Sequence, residues 1–146
     1  MGDISKDIQS KFTSEKVKAF INIKYTANWI SSKENEFFKP FGISPQQFNI
    51  LRILRGAGKA IKVQQIKDRM IERAPNATRL MDKLCGKELI ERIPCPEDRR
   101  VVHIAITDNG LKLLKEISAS MPKNGWLSKL TEAEAAQLSE LLDKVR

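Results

Sequence analysis

The feature that most constrains the fold of this sequence is a change of hydrophobic period near residue 90. Between Pro75 and this point, apolar side chains recur every three to four residues, which predicts a helix. Proline is a residue type suited to the first position of a helix. The buried side of this helix is predicted to be Ala77, Met81 and Leu84. After it, residues 90–94 and the alternating run 101–106 predict two short strands, joined by a charged hairpin tip at 95–100. The chain is therefore predicted to be mainly α with a small β-hairpin, an α+β fold.

Helical spacing of apolar residues also predicts helices before this segment. A long helix is expected over residues 4–30, ended by the polar stretch 31–36. Ser44-Pro45-Gln46-Gln47 has the pattern of a capping box and predicts a helix that stops near residues 56–58. A short helix of about two turns is predicted from Val63, Ile66 and Met70.

Two more helix starts follow the hairpin. Thr107 and Asp108 begin one helix, and residues 121–130, which contain Pro and Gly, are predicted to be a loop. Thr131 and Glu134 have the spacing of a second capping box, which opens the last helix. All of these elements are predicted to form a single domain over residues 1–146.

The charge of the chain is positive and unevenly distributed. With 26 Lys and Arg against 18 Asp and Glu, the formal net charge is +8. Residues 42–110 hold 13 of the basic and 8 of the acidic side chains, so most of the excess lies in the middle of the chain. Such a segment is either a solvated surface or the binding surface for a polyanion, most often nucleic acid. Charge alone does not decide between the two.

The residue inventory argues against several classes of function. Cys85 and Cys95 lack the C-x-x-C spacing of a metal or redox motif, and the single His has no partner for a metal. No Ser/His/Asp set and no Gly-rich phosphate loop is present, so neither an enzyme nor a cofactor is predicted. No apolar run approaches the roughly 18 residues that span a bilayer. Because the N-terminus also lacks an apolar signal sequence, a cytoplasmic protein without a membrane partner is expected.

The order of the elements decides whether the positive charge is a solvated surface or a binding surface for a polyanion. A short helix, a tight turn, a second helix and a basic hairpin predict a winged helix-turn-helix over about 44–106, with double-stranded DNA as the partner. A helix of this kind fits the major groove, where Asn and Arg read base edges. The candidate DNA-binding residues on the helix lie off its buried side: Asn76, Thr78, Arg79 and Lys83. Those on the hairpin tip are Asp98, Arg99 and Arg100.

Each candidate has an expected role and a simpler alternative. Arg100 is predicted to reach into a narrow minor groove, with Asp98 orienting it, because a carboxylate that faced phosphates would be repelled. Arg99 contacts phosphate or is simply exposed. Arg79 and Asn76 contact base edges or phosphates, unless they belong to a solvated helix face. A contact with a DNA phosphate is the general expectation for four further basic residues: Lys83, Arg73, Lys62 and Lys67. Thr78 contacts phosphate or a thymine methyl group, or packs the turn.

At this point the sequence resembles a known family. Residues 98–110 are similar to the D-x-R…LT-x-x-G signature of MarR-type transcriptional regulators, and residues 77–84 are similar to their recognition helix. The resemblance runs from about Phe41 to Val145 and includes the start of the last helix. The sequence departs from the family pattern with Ile106 for Leu, Glu88 for Gly, and Lys62 for a Ser or Thr cap.

The resemblance implies an assembly and a mode of action. It implies a homodimer in which dimerisation helices at about 4–36 and 107–146 interlock, placed on a palindromic operator whose half-sites lie roughly 34–36 Å apart. It further implies a repressor that a small molecule or an oxidant releases from DNA. The alternative is a winged-helix module that contacts only proteins and has no sequence-specific DNA binding.

The aromatic residues and the cysteines each leave two interpretations open. Eight of the nine aromatic residues precede residue 50, which is typical of a dimer core. They could also line an effector pocket for an aromatic ligand, formed by Phe20, Tyr25, Trp29 and Phe48. Cys85 and Cys95 are either small half-buried thiols or a redox switch between the recognition helix and the wing.

Overall fold

The structure is a computed structural model that describes residues 2–73 and 75–146. It divides into two compact units between Pro45 and Gln46, and each is described by itself. The first contains helices α1 (Ile4–Asp7) and α2 (Glu15–Phe38) and a 3-10 turn (Lys39–Phe41). The remaining elements are α3 Pro45–Ala57, β1 Ile61–Lys62, α4 Val63–Arg69, α5 Ala77–Gly86, β2 Ile90–Pro94, β3 Val102–Ile106, α6 Asp108–Ser120, a 3-10 turn Gly125–Leu127 and α7 Glu132–Asp143. The mainly helical fold with a small sheet confirms the predicted α+β class, and the single domain over 1–146 stays a prediction.

The N-terminal helix differs from its prediction at both ends. The prediction of one helix over 4–30 is wrong, because α1 ends at Asp7 and α2 begins only at Glu15. The Ser14 hydroxyl oxygen accepts a hydrogen bond from the Val17 N–H (3.2 Å), which caps the first turn of α2. The polar stretch 31–36 does not end the helix either. It contains no Gly or Pro, and polar side chains on an exposed helix face do not interrupt its backbone hydrogen bonds.

The sheet has three strands, one more than the sequence predicts. Strand β3 is central and pairs antiparallel with both β1 and β2. Ile61 of β1 lies opposite Ile104, while Ile90 of β2 lies opposite Ile106. The strands β2 and β3 confirm the predicted hairpin. Two residues are too few to show the alternation that identifies a strand, which is why β1 has no sequence signal.

The predicted inner face of α5 is confirmed. Ala77, Met81 and Leu84 are at most 1% exposed. They pack in the core of the second unit, so the opposite face of α5 is turned to solvent. The buried face fixes the rotation of the helix about its own axis. It therefore decides which side chains α5 presents outward.

Helix α5 ends in a Schellman motif at the position where the family pattern has glycine. The N–H of Leu89 donates to the Leu84 carbonyl (3.0 Å) and the N–H of Glu88 to the Cys85 carbonyl (2.9 Å). Glu88 has a φ of 58°, in the left-handed region. A residue with a Cβ pays about 1–2 kcal/mol there, and glycine avoids most of this cost. The glutamate therefore takes over the role of the missing glycine at the C-terminus of α5.

One further sequence prediction concerns the C-terminal part. The capping box of α7 is confirmed, since the Thr131 hydroxyl oxygen accepts from the Glu134 N–H (3.2 Å) and the Glu134 carboxylate accepts from the Thr131 N–H (2.8 Å). The hydrogen bonds that the Glu134 carboxylate accepts from the Thr131 N–H and from the Thr131 hydroxyl group lower the pKa of Glu134. In the part of the chain that the structure describes, no helix combines the length and the apolar character needed to cross a bilayer.

Candidate nucleic-acid interface

The turn between α4 and α5 is held in place by side chains of α3. The Asn49 side-chain oxygen accepts a hydrogen bond from the Ile71 N–H (2.9 Å). The Gln46 side-chain amide donates to the Glu72 carboxylate (3.1 Å). Both contacts join residues more than 20 positions apart, so no local sequence pattern could reveal them. They attach residues 71 and 72, which follow α4, to α3.

Helix α5 begins two residues later than the sequence predicts. Pro75 was expected at the first helical position, but the first helical residue is Ala77 and Asn76 is the N-cap. The Asn76 side chain makes no capping hydrogen bond. The first backbone N–H groups of α5 therefore have no acceptor from the cap residue, and such groups at a helix N-terminus bind phosphate well.

The outward face of α5 is cationic. Thr78, Arg79 and Lys83 are exposed there, as is the cap residue Asn76. Across residues 2–73 and 75–146, neither Arg79 nor Lys83 forms an ion pair. Both positive charges are therefore available to an external anion, as the sequence predicts for a DNA-contacting face.

The one acidic residue on this stretch of α5 is neutralised by the sheet. Asp82 forms a salt bridge with Arg92 of β2. The hydrogen bond that the Arg92 guanidinium donates to the Asp82 carboxylate raises the pKa of Arg92, so this guanidinium stays protonated. Pairing reduces the repulsion that Asp82 would exert on a nearby phosphate, and it links α5 to the hairpin. The sequence analysis did not assign either residue a role.

The hairpin tip presents Arg99 and Arg100 on an ordered turn. The Cys95 N–H donates to the Val101 carbonyl and the Val101 N–H to the Asp98 carbonyl, each at 3.0 Å. The Asp98 carboxylate accepts from the backbone N–H of Arg100 (3.0 Å). The sequence predicts that Asp98 orients Arg100, and the only contact the structure gives them is with this backbone rather than with the guanidinium. Both arginines are exposed, and none of the ion pairs among the described residues includes them.

The predicted effector residues do not form one cluster on α2. Phe20, Tyr25 and Trp29 are all exposed on this helix, and Phe48 is half-buried on α3. Tyr25 and Trp29 are one turn apart and share a face, whereas Phe20 lies on the other side of the helix. The Lys24 ammonium lies over the Phe20 ring at 5.5 Å. The effector pocket stays a prediction.

The cysteines also keep the simpler of their two interpretations. Cys85 and Cys95 are half-buried free thiols. Cys85 lies in α5, and Cys95 follows directly after β2. The redox switch between them stays the untested alternative.

A helix-turn-helix followed by a hairpin, with unpaired cations on the second helix and on the hairpin tip, defines the winged-helix class of DNA-binding proteins. A family model described as "MarR family" matches residues 43–102. The HTH-type transcriptional regulator MhqR of Bacillus subtilis (strain 168) is 31% identical over 135 residues, covering 91% of this chain and 92% of that protein. The HTH-type transcriptional repressor MdtR of the same organism is 36% identical over 107 residues, covering 71% and 68%.

A solved structure supports the same assignment. A mutant MarR from E. coli complexed with operator DNA is similar with a TM-score of 0.79 and 27% identity, covering 93% of this chain and 99% of that chain. This chain therefore belongs to the MarR family of winged-helix transcriptional regulators, which confirms the resemblance seen in the sequence. It is a DNA-binding regulator and not an enzyme.

Proposed function

We propose that this chain is a homodimeric repressor that binds a palindromic operator in the cytoplasm and is released by a small-molecule effector. The observation that carries the proposal is the two-faced character of α5. One face is completely buried, and the other presents Arg79 and Lys83 without ion pairs. Unpaired guanidinium and ammonium groups on a rigid helix are suited to bases and phosphates.

In this proposal each cationic element enters its own groove. Helix α5 lies in the major groove, where Arg79 and Asn76 contact base edges and Thr78 and Lys83 contact the backbone. The wing places Arg100 in the adjacent minor groove, whose negative potential attracts a guanidinium. Arg99 contacts phosphate, and Asp98 acts on the hairpin backbone rather than on DNA.

Exposed apolar side chains on α2 and α7 support a dimer. Helix α2 exposes Val17, Phe20, Ile23, Tyr25 and Trp29, and the C-terminal segment exposes Leu138, Leu141 and Val145. Val145 is 74% and Phe20 58% exposed, values that leave much apolar area in contact with water. Covering these side chains with a second copy would remove that area from water at about 25 cal/mol per Å². Both predicted dimerisation segments, about 4–36 and 107–146, carry such exposed apolar side chains.

The proposal also includes repression of transcription and release from DNA by a ligand. One relative is described as a repressor, and a structural neighbour was solved on operator DNA. A dimer that occupies two half-sites excludes other proteins from the same stretch of duplex. A small molecule releases it only by binding the DNA-incompetent state more tightly. Phe20, Tyr25, Trp29 and Phe48 remain the residues proposed for this ligand.

The experiment is a footprint on the promoter region of the gene itself, followed by Arg79→Ala on the protected sequence. We expect two protected half-sites about one helical turn apart. Arg79→Ala should abolish discrimination at one base pair in each half-site, a loss of about 1–3 kcal/mol for the preferred base. Affinities for a set of operators with single base changes measure this.

The matched control is Arg73→Ala, which removes the same charge from the α4–α5 turn. It should weaken all operators by a similar small factor, since a phosphate contact is insensitive to sequence. If Arg79→Ala also weakens every operator equally, Arg79 touches only the DNA backbone and the assignment of base reading to this residue is wrong.

A further inference from the structure

The end of α5 and the beginning of α6 are joined through one hydroxyl group. The Thr107 Oγ1 donates to the backbone carbonyl of Glu88 (2.7 Å). The same oxygen accepts from the Gly110 N–H (3.1 Å), the N-cap bond of α6. The Thr107 N–H in turn donates to the Leu89 carbonyl (3.1 Å). Thr107 therefore caps α6 and is also hydrogen-bonded to Glu88 and Leu89, the two residues that follow the C-cap of α5.

The backbones meet closely at this joint. A Cβ placed on Gly110 would lie 2.3 Å from the Leu89 carbonyl oxygen and 2.6 Å from Ile106 Cγ1. Gly110 and Leu89 are buried, and Thr107 is half-buried. The bond from the Gly110 N–H to Thr107 is part-buried and competes little with water, whereas the bond from Thr107 to the Glu88 carbonyl is short but lies at the exposed edge of the joint. The Schellman motif at Glu88 fixes the carbonyl that Thr107 contacts.

We propose that Thr107 is a positioning residue for DNA recognition: it makes α5 and α6 move as one rigid body. The N-cap of α6 needs only the hydrogen bond from the Gly110 N–H. The second hydrogen bond, from the Thr107 hydroxyl to the Glu88 carbonyl, is not needed for capping and instead connects α6 to the end of α5. Helix α6 has 13 residues and extends about 20 Å from the joint. A tilt of α6 thereby changes the angle at which α5 meets the duplex. This inference rests on the proposed function, because it names the residue through which the C-terminal segment sets operator affinity.

Two substitutions separate the link from the cap. Thr107→Asp keeps a good capping oxygen, but an ionised carboxylate has no proton to donate to the Glu88 carbonyl. Thr107→Ser keeps both hydrogen bonds. The chain offers a matched control in Thr131, which caps α7 in the same way through the Glu134 N–H (3.2 Å). Thr131→Asp introduces the same charge at an N-cap that makes no hydrogen bond to α5.

The experiment measures the affinity of each full-length variant for operator DNA and for random DNA, at a temperature where circular dichroism shows it folded. We expect Thr107→Asp to weaken operator binding about 10-fold and random-DNA binding less than twofold. Thr107→Ser and Thr131→Asp should stay within twofold of the unmodified chain on both. An effect of charge alone would lower both affinities together, so the ratio of the two is the decisive quantity.

A second pair without added charge, Thr107→Val and Thr131→Val, is measured in parallel. Operator affinity that is equal for the Thr107 and Thr131 variants overturns the inference. Failure of both Thr107→Asp and Thr107→Val to fold, with the Thr131 variants folded, also overturns it, because Thr107 then acts on stability alone. If the unmodified chain itself shows no preference for operator over random DNA, the proposed function fails instead.

Discussion

Replacing Arg100 with alanine is expected to weaken operator binding about 30-fold, roughly 2 kcal/mol, without changing the free energy of unfolding. The side chain is exposed and has no ion pair in the described part of the chain, so the folded protein loses no contact. Alanine also keeps the backbone N–H that donates to the Asp98 carboxylate. Anisotropy titration of labelled operator measures the affinity, and urea denaturation measures the stability.

The control for Arg100 is Arg146, an arginine of equal charge outside α5 and the hairpin. Arg146 follows α7 and pairs with Asp143. Arg146→Ala should change operator affinity by no more than about twofold, since Arg146 lies neither on α5 nor on the hairpin tip and its charge is paired with Asp143. Equal losses for Arg100→Ala and Arg146→Ala would mean that the wing contributes only net charge and does not enter the minor groove.

Gly110→Ala is expected to lower the free energy of unfolding by about 3 kcal/mol, which corresponds to roughly 10 °C in Tm. Alanine is normally the better helix residue by about 1 kcal/mol. Here its Cβ would lie 2.3 Å from a backbone oxygen, so α6 must move away from Leu89. Displacing a backbone carbonyl costs more than rotating a flexible side chain, and the clash therefore outweighs the propensity. Thermal and urea denaturation of the folded protein measure the change.

Gly56 provides the opposite case within the same protein. It lies in α3, is exposed, and has no atom within 4 Å of a Cβ placed on it. Gly56→Ala should therefore raise the free energy of unfolding by about 0.5–1 kcal/mol. If Gly110→Ala instead stabilises the protein as Gly56→Ala does, the tight joint between α5 and α6 does not exist.

The predictions that succeeded rest on repeated local signals. The inner face of α5 follows from apolar spacing, and the capping box at Thr131 follows from two side chains three residues apart. The hairpin follows from the alternating run 101–106, preceded by the short stretch 90–94 and a charged tip. Glu88, which follows the C-cap of α5, stands where the family pattern has glycine. The Schellman motif still forms, because a non-glycine residue can occupy the left-handed region at a tolerable cost.

The predictions that failed needed information from distant parts of the chain or from fine geometry. Asn49 and Asp82 act on residues that the sequence does not place beside them, so their roles emerge only in the folded chain. The break between α1 and α2 depends on Ser14, one of several polar residues that could cap a helix. Similarly, Pro75 is compatible with a first helical position or with one just before the cap, and the structure adopts the second.

The measurement that tests the central claim most directly is the affinity of the unmodified chain for its promoter DNA as a function of salt. If α5 and the wing tip of each protomer bind the duplex, about six phosphates are neutralised per dimer, and log K should fall against log salt with a slope near −5. Random DNA should show a similar slope at much lower affinity. A slope near zero, with no preference for the promoter over random DNA, would show that the exposed cations of α5 and the wing serve a protein partner rather than DNA.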